Sequence, residues 1–131
     1  MSEKKNPQTT AIGYLEAVGR KDFETFERLL SPEVTFHGPA GDVSGAQEVS
    51  AAYRRLAPII VRSDLKKTFV DGSEVCIIYD FVTNTAAGAV PTVEWLKIED
   101  GRVRSIWLLT DHLRWPKALD ELRARQQQQA S

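Results

Sequence analysis

One cysteine, one methionine, two histidines and six prolines occur in 131 residues, and the formal net charge is only −1. Each scarcity closes a class of function. The single cysteine, Cys76, has no partner for an internal disulfide, and the polar start from Met1 to Asn6 has no apolar region of signal type. A reducing cytoplasm is the expected setting. No run approaches the roughly 20 apolar residues of a membrane-spanning helix, so no membrane partner is expected. The basic residues fall in scattered pairs such as Arg54-Arg55 and Lys66-Lys67, which leaves no stripe for a phosphate backbone and argues against nucleic acid. His37 and His112 lack metal-ligand spacing and have no acidic cluster beside them, so neither a metal nor a cofactor is expected.

What is present suits one small domain. It is expected over residues 8–125, after a flexible lead (1–7) and before a flexible glutamine-rich tail (126–131). Asn6-Pro7 reads as an N-cap with proline in the first turn, and Ala11, Tyr14, Leu15 and Val18 recur at helical spacing up to Gly19. Asp22 can cap a second helix through Leu30, closed by Ser31-Pro32. Val34 to His37 reads as a short strand ended by the turn cluster Gly38-Pro39-Ala40-Gly41. Ser44-Gly-Ala-Gln47 fits a capping box for a third helix with Val49, Ala52, Tyr53 and Leu56 on one face. Strands follow from Ile60 to Val70, Glu74 to Thr85 and Val90 to Asp111, the last folded at Glu99-Asp-Gly-Arg102, and a fourth helix is expected over Trp115 to Arg125.

The most telling residue lies in the last strand pair. Counting by twos from Glu94 reaches Leu96 and Ile98, which puts a carboxylate on an apolar strand face. Such a group is either chemistry or half of a buried ion pair, for which Lys67 or Arg104 could serve. The run from Val75 to Val82 and the segment from Ile106 to Leu109 are apolar on both parities, so both sheet faces need cover. Helices can supply one. A second copy, in a homodimer through the sheet face, is expected to supply the other. Cys76, between Val75 and Ile77, reads as an inert core thiol.

Several stretches in fixed order carry a resemblance: Tyr14-Leu-Glu-Ala17, the acidic helix from Asp22 to Leu30, Val34-Thr-Phe-His-Gly-Pro39, Ser44-Gly-Ala-Gln-Glu48, and Glu94 through Gly101-Arg-Val103. Over residues 8–113 the chain resembles the nuclear-transport-factor-2-like superfamily. It is most similar to the SnoaL-like branch, which includes polyketide cyclases and ketosteroid isomerases. The resemblance implies a conical α+β barrel, a curved antiparallel sheet wrapped around N-terminal helices with a pocket at the wide end. Carrying the isomerase motif over puts the oxyanion-donating tyrosine on Tyr14 and the protonated acid near Glu94. The third position, the carboxylate base, falls on Gly38 with His37 beside it. The related limonene-epoxide hydrolases need an Asp-Arg-Asp set, for which Asp80, Arg54 or Arg62, and Glu94 or Asp111 are on offer.

The expected function is binding of a small apolar carbonyl or hydroxyl compound, with cofactor-independent acid/base chemistry of isomerase, cyclase or dehydratase type. Tyr14, His37, Asp80 and Glu94 are the candidate catalytic residues; Tyr53, Trp95, Trp107 and Asp111 are the candidate pocket residues. A non-catalytic binding or oligomerisation module is the alternative. The presence or absence of a basic partner for Glu94 separates the two.

Overall fold

A computed structural model describes residues 6–130 of the chain. The expected lead therefore lies outside the described residues up to position 5. Asn6 and Pro7 belong to the first helix: α1 spans Pro7–Gly19, and the Asn6 side chain accepts a hydrogen bond from the Gln8 N–H. Lys21, with φ of 61°, turns the chain. Asp22 then caps α2 (Phe23–Arg28) by accepting from the backbone and hydroxyl of Thr25. The second helix stops short of Leu30, which already starts strand β1 (Leu30–Gly38). Pro32 is tolerated inside that strand because the pairing with its neighbour shifts register between Leu30 and Thr35, where no ladder hydrogen bond is demanded of it.

The turn at Pro39-Ala40 leads into a short edge strand, β2 (Gly41–Ser44), where the sequence shows only a turn cluster. Helix α3 (Ala46–Arg54) starts one residue later than the capping-box reading. Its N-cap is Gly45 at φ of 92°, a glycine conformation, and no side chain caps it. After a single 3₁₀ turn (Ala57–Ile59) come β3 (Ile60–Asp71), β4 (Glu74–Thr83), β5 (Ala89–Glu99) and β6 (Arg102–Thr110). Asp100 and Gly101 both have positive φ, the twist a two-residue hairpin requires. Helix α4 (Arg114–Ala130) runs through Gln126 to Gln129, where the sequence suggests a flexible tail.

The six strands form one sheet in the order β2-β1-β6-β5-β4-β3. It is mixed where an antiparallel sheet is expected, because β1 and β6 run parallel. β2 and β3 are left as free edges, so the curved sheet is open rather than a closed barrel. Register breaks at Ile60/Arg62, Leu65/Lys67 and Lys97/Ile98 mark where it bends.

Alternation sorts the two faces. Val75, Ile77, Tyr79 and Phe81 of β4 and Val90, Thr92, Glu94, Leu96 and Ile98 of β5 are buried against α1, α2 and α3. The intervening residues form the outer face. Cys76, read as a core thiol, is among them, half-buried and paired across the sheet with Phe69 and Trp95. No described helix is long and apolar enough to cross a membrane.

Candidate functional site

Among the described residues Glu94 is the only buried acidic side chain, 1% exposed in the middle of the inner face. Burial raises its pKa above the ordinary carboxyl value, and hydrogen bonds from three tyrosines oppose that rise. No basic side chain among the described residues accompanies it. Lys67 lies on the outer face with its ammonium over Phe69, and Arg104 pairs with Glu33, which corrects the ion-pair reading of Glu94.

Three elements deliver the phenols. Tyr14, buried in α1, donates to Glu94 Oε1 at 2.6 Å. Tyr79, on β4, donates to Oε2 at 2.5 Å. Tyr53, near the end of α3, places its hydroxyl 3.2 Å from Oε1 and 2.8 Å from the Tyr14 hydroxyl. Phe26 packs between Tyr14 and Tyr53, with ring centroids at 5.1 and 4.6 Å, and fixes both rings. All three phenol pKa values are raised, first by burial and next by the neighbouring carboxylate.

Proton counting gives this cluster its chemistry. With Glu94 ionised, each phenol proton points toward the carboxylate or along the Tyr53–Tyr14 link, so the tyrosine oxygens offer only lone pairs outward. One added proton on Glu94 must itself be accepted by a tyrosine oxygen. That frees one phenol O–H to donate elsewhere.

Elsewhere is a cavity of about 410 Å3 between α3, α4 and the inner sheet face, within the roughly 300–1,000 Å3 typical of small-molecule sites. Tyr53 and Tyr79 line it, together with Leu56, Phe81, Leu108, Trp115, Leu119 and Leu122. Tyr14 and Glu94 lie behind these two tyrosines, outside the lining. Glu94 therefore reaches the cavity only through them. Helix α4 forms one wall and is held down by its side chains: Glu121 accepts from the Ala86 N–H, and Arg125 bonds to Asn84 and Glu121.

The other candidate residues are scattered. Asp80 points to the outer face, 3.6 Å from Lys66. His37 also lies on that face, its ring stacked on Trp107 at 4.1 Å and its Nδ1 3.0 Å from Asp42. Trp95 and Trp107 are outer-face neighbours, 42% and 45% exposed, so neither borders the cavity. Asp111 accepts from the Leu113 and Arg114 N–H groups at the start of α4, which holds its pKa low, and it too lies outside the lining. Of the eight candidates the structure gathers Tyr14, Tyr53 and Glu94 into one cluster.

Tyr79 is the cluster member absent from the sequence reading. Its signal was parity: it alternates with Val75, Ile77 and Phe81 and stands diagonal to Glu94 once Ile77 pairs with Glu94.

A family model for a SnoaL-like domain matches residues 11–106. Among solved structures, a Kribbella flavida protein is 28% identical with a TM-score of 0.77, over 91% of this chain and 95% of its own. A candidate SnoaL-like polyketide cyclase from Shewanella denitrificans is 19% identical with a TM-score of 0.73, over 88% and 97%. An NTF2-like protein from Cytophaga hutchinsonii is 20% identical with a TM-score of 0.71, over 85% and 95%. No functionally curated protein matches.

Proposed function

Because the chain belongs to the SnoaL-like domain family and has the α+β NTF2-like fold, we propose that its cavity binds a small, largely apolar carbonyl or hydroxyl compound and performs acid/base chemistry on it. The supporting observation is a buried carboxylate with three phenol partners and no basic partner among the described residues, two of the phenols lining an apolar cavity. Fold alone does not carry this reading, since one fold hosts many chemistries. In it, Tyr53 and Tyr79 touch the ligand. Glu94 and Tyr14 position them and store the proton, which passes to a ligand oxygen by way of a tyrosine, as isomerisation, cyclisation or dehydration would need.

Thermal stabilisation by a panel of small phenols, enones and aryl ketones tests it, because a ligand that binds only the folded state raises the melting temperature. Several members are expected to stabilise the wild type, and Glu94→Gln is expected to reorder the ranking of ketones against phenols. An unchanged ranking would assign the carboxylate a purely structural part.

A homodimer through the outer sheet face belongs to the same proposal. Phe69, Cys76, Trp95, Trp107 and His37 stand opposite one another across five strands, and Ile78, Val93 and Leu109 form a second apolar row beside them. Phe69 and Leu109 are 56% and 69% exposed in the single chain, and apolar rows of this extent mark contact surfaces. Sedimentation of the wild type at micromolar concentration is expected to give a dimer, and Trp95→Glu with Trp107→Glu a folded monomer. A monomeric wild type would reject the interface.

A further inference from the structure

We infer that the ligand of this cavity is an apolar carboxylic acid, its carboxylate held at the cavity rim by Arg55 and Arg123. The inference rests on the cavity being a ligand site. Both arginines belong to its lining, one following α3 and the other on α4, and both are exposed where Tyr53 and Tyr79 are buried. They therefore mark the solvent end and the tyrosines the deep end.

Nearby arginines are already engaged. Arg54 lies over the Phe23 ring, Arg114 bonds to the Ala89 carbonyl and pairs with Asp111, and Arg125 is tied to Asn84 and Glu121. The Arg55 side chain, by contrast, has no hydrogen bond or ion pair to any described residue, and only its backbone N–H is engaged, by the Ala51 carbonyl. Arg123 has only Asp120, at 3.8 Å and with both side chains mostly exposed, a solvated pair that a better acceptor displaces.

Asp42 is the one carboxylate in the lining, and it is taken up by His37 at 3.0 Å. The rim thus presents two guanidinium groups, each able to grip a carboxylate through paired N–H donors. The wall between rim and tyrosines is apolar. A matching molecule has an acid at one end, a hydrocarbon body against Leu56, Phe81 and Trp115, and room for a hydroxyl or carbonyl at the tyrosine end.

Matched pairs differing only in charge test this on the full chain: octanoate against octanamide and naphthoate against naphthamide, by titration calorimetry at low salt. Each acid is expected to bind about tenfold tighter than its amide, the size of a charge-assisted hydrogen bond gained. Arg55→Gln with Arg123→Gln is expected to erase that preference while leaving amide binding in place. Arg28→Gln with Arg102→Gln, on α2 and at the start of β6 and both outside the cavity lining, removes the same two charges and is expected to preserve it. Equal binding of acid and amide, or a preference that survives the double substitution, overturns the carboxylate assignment alone. Binding of neither member of either pair overturns it together with the apolar-ligand reading.

Discussion

Glu94→Ala is expected to lower the unfolding free energy by about 2–4 kcal/mol, a sizeable part of the roughly 5–15 kcal/mol that holds a domain of this kind. Two losses add up. The substitution strips the shared acceptor from Tyr14, Tyr53 and Tyr79, and Tyr14, 0% exposed and outside the cavity lining, cannot turn to water. It also empties the space of four side-chain heavy atoms, Cγ and the carboxylate, in a close-packed layer between Ile77 and Leu108. Relief from holding a desolvated carboxylate offsets part of this. Glu94→Gln keeps the volume and one acceptor, and its expected loss is smaller, about 1–2 kcal/mol.

Urea unfolding followed by circular dichroism measures both, and an alanine variant as stable as the wild type would mean the cluster is open to water. A companion variant separates structure from function. Glu94→Leu combined with phenylalanine at positions 14, 53 and 79 removes every polar group of the cluster together, and buried polar sets replaced by apolar ones often lose nothing in stability. Recovery of wild-type stability in that variant would show the cluster is retained for its chemistry rather than for holding the fold.

Much of this arrangement is legible in the residues. The Asn6-Pro7 and Asp22 caps place two helices, and the Asp100-Gly101 turn sets the β5–β6 register. With that register, parity alone puts Glu94 inward, since Leu96 and Ile98 share its face. The features that were not legible depend on distant partners. Whether β1 runs parallel or antiparallel to β6 is decided by how α3 and the β2 edge return the chain, a non-local outcome that strand-local patterning does not encode. The same holds for the tryptophans. Trp95 alternates with Glu94 and Leu96, so it must face away from them, yet its aromatic bulk suggested a pocket wall. Asp80 stands out as the lone charge in an apolar run, while Tyr79 beside it occupies the inner face. A charge on a two-sided apolar strand signals burial only when the face is known.

The second large effect is on pH dependence, and its sign follows from burial. Glu94 has its folded pKa raised, so between the ordinary carboxyl value and the higher folded value the native state binds more protons than the unfolded chain. The stability associated with it is fully present below the ordinary value and is lost as pH rises through the folded one. Within that window the slope approaches about 1.4 kcal/mol per pH unit, the free energy of one differential proton. Asp22, Asp111 and Glu121 act in the opposite sense. Hydrogen bonds from Thr25, from the Arg114 and Leu113 N–H groups, and from the Ala86 N–H lower their pKa values, so their contribution is lost as pH falls below the ordinary carboxyl range.

Unfolding free energy against pH is therefore expected to climb from strongly acidic solution and then decline as Glu94 is forced to ionise inside the protein. It declines again only above the ordinary phenol value, where the buried tyrosines resist ionisation. In Glu94→Gln the acidic climb is expected to persist, because its three carboxylates are untouched, and the first decline to vanish. The decline is the signature of a carboxyl group that prefers its proton, which a proton store behind Tyr53 and Tyr79 needs. If wild type and Glu94→Gln decline in parallel, Glu94 holds no proton above the ordinary carboxyl range, and the tyrosines would offer the cavity only lone pairs.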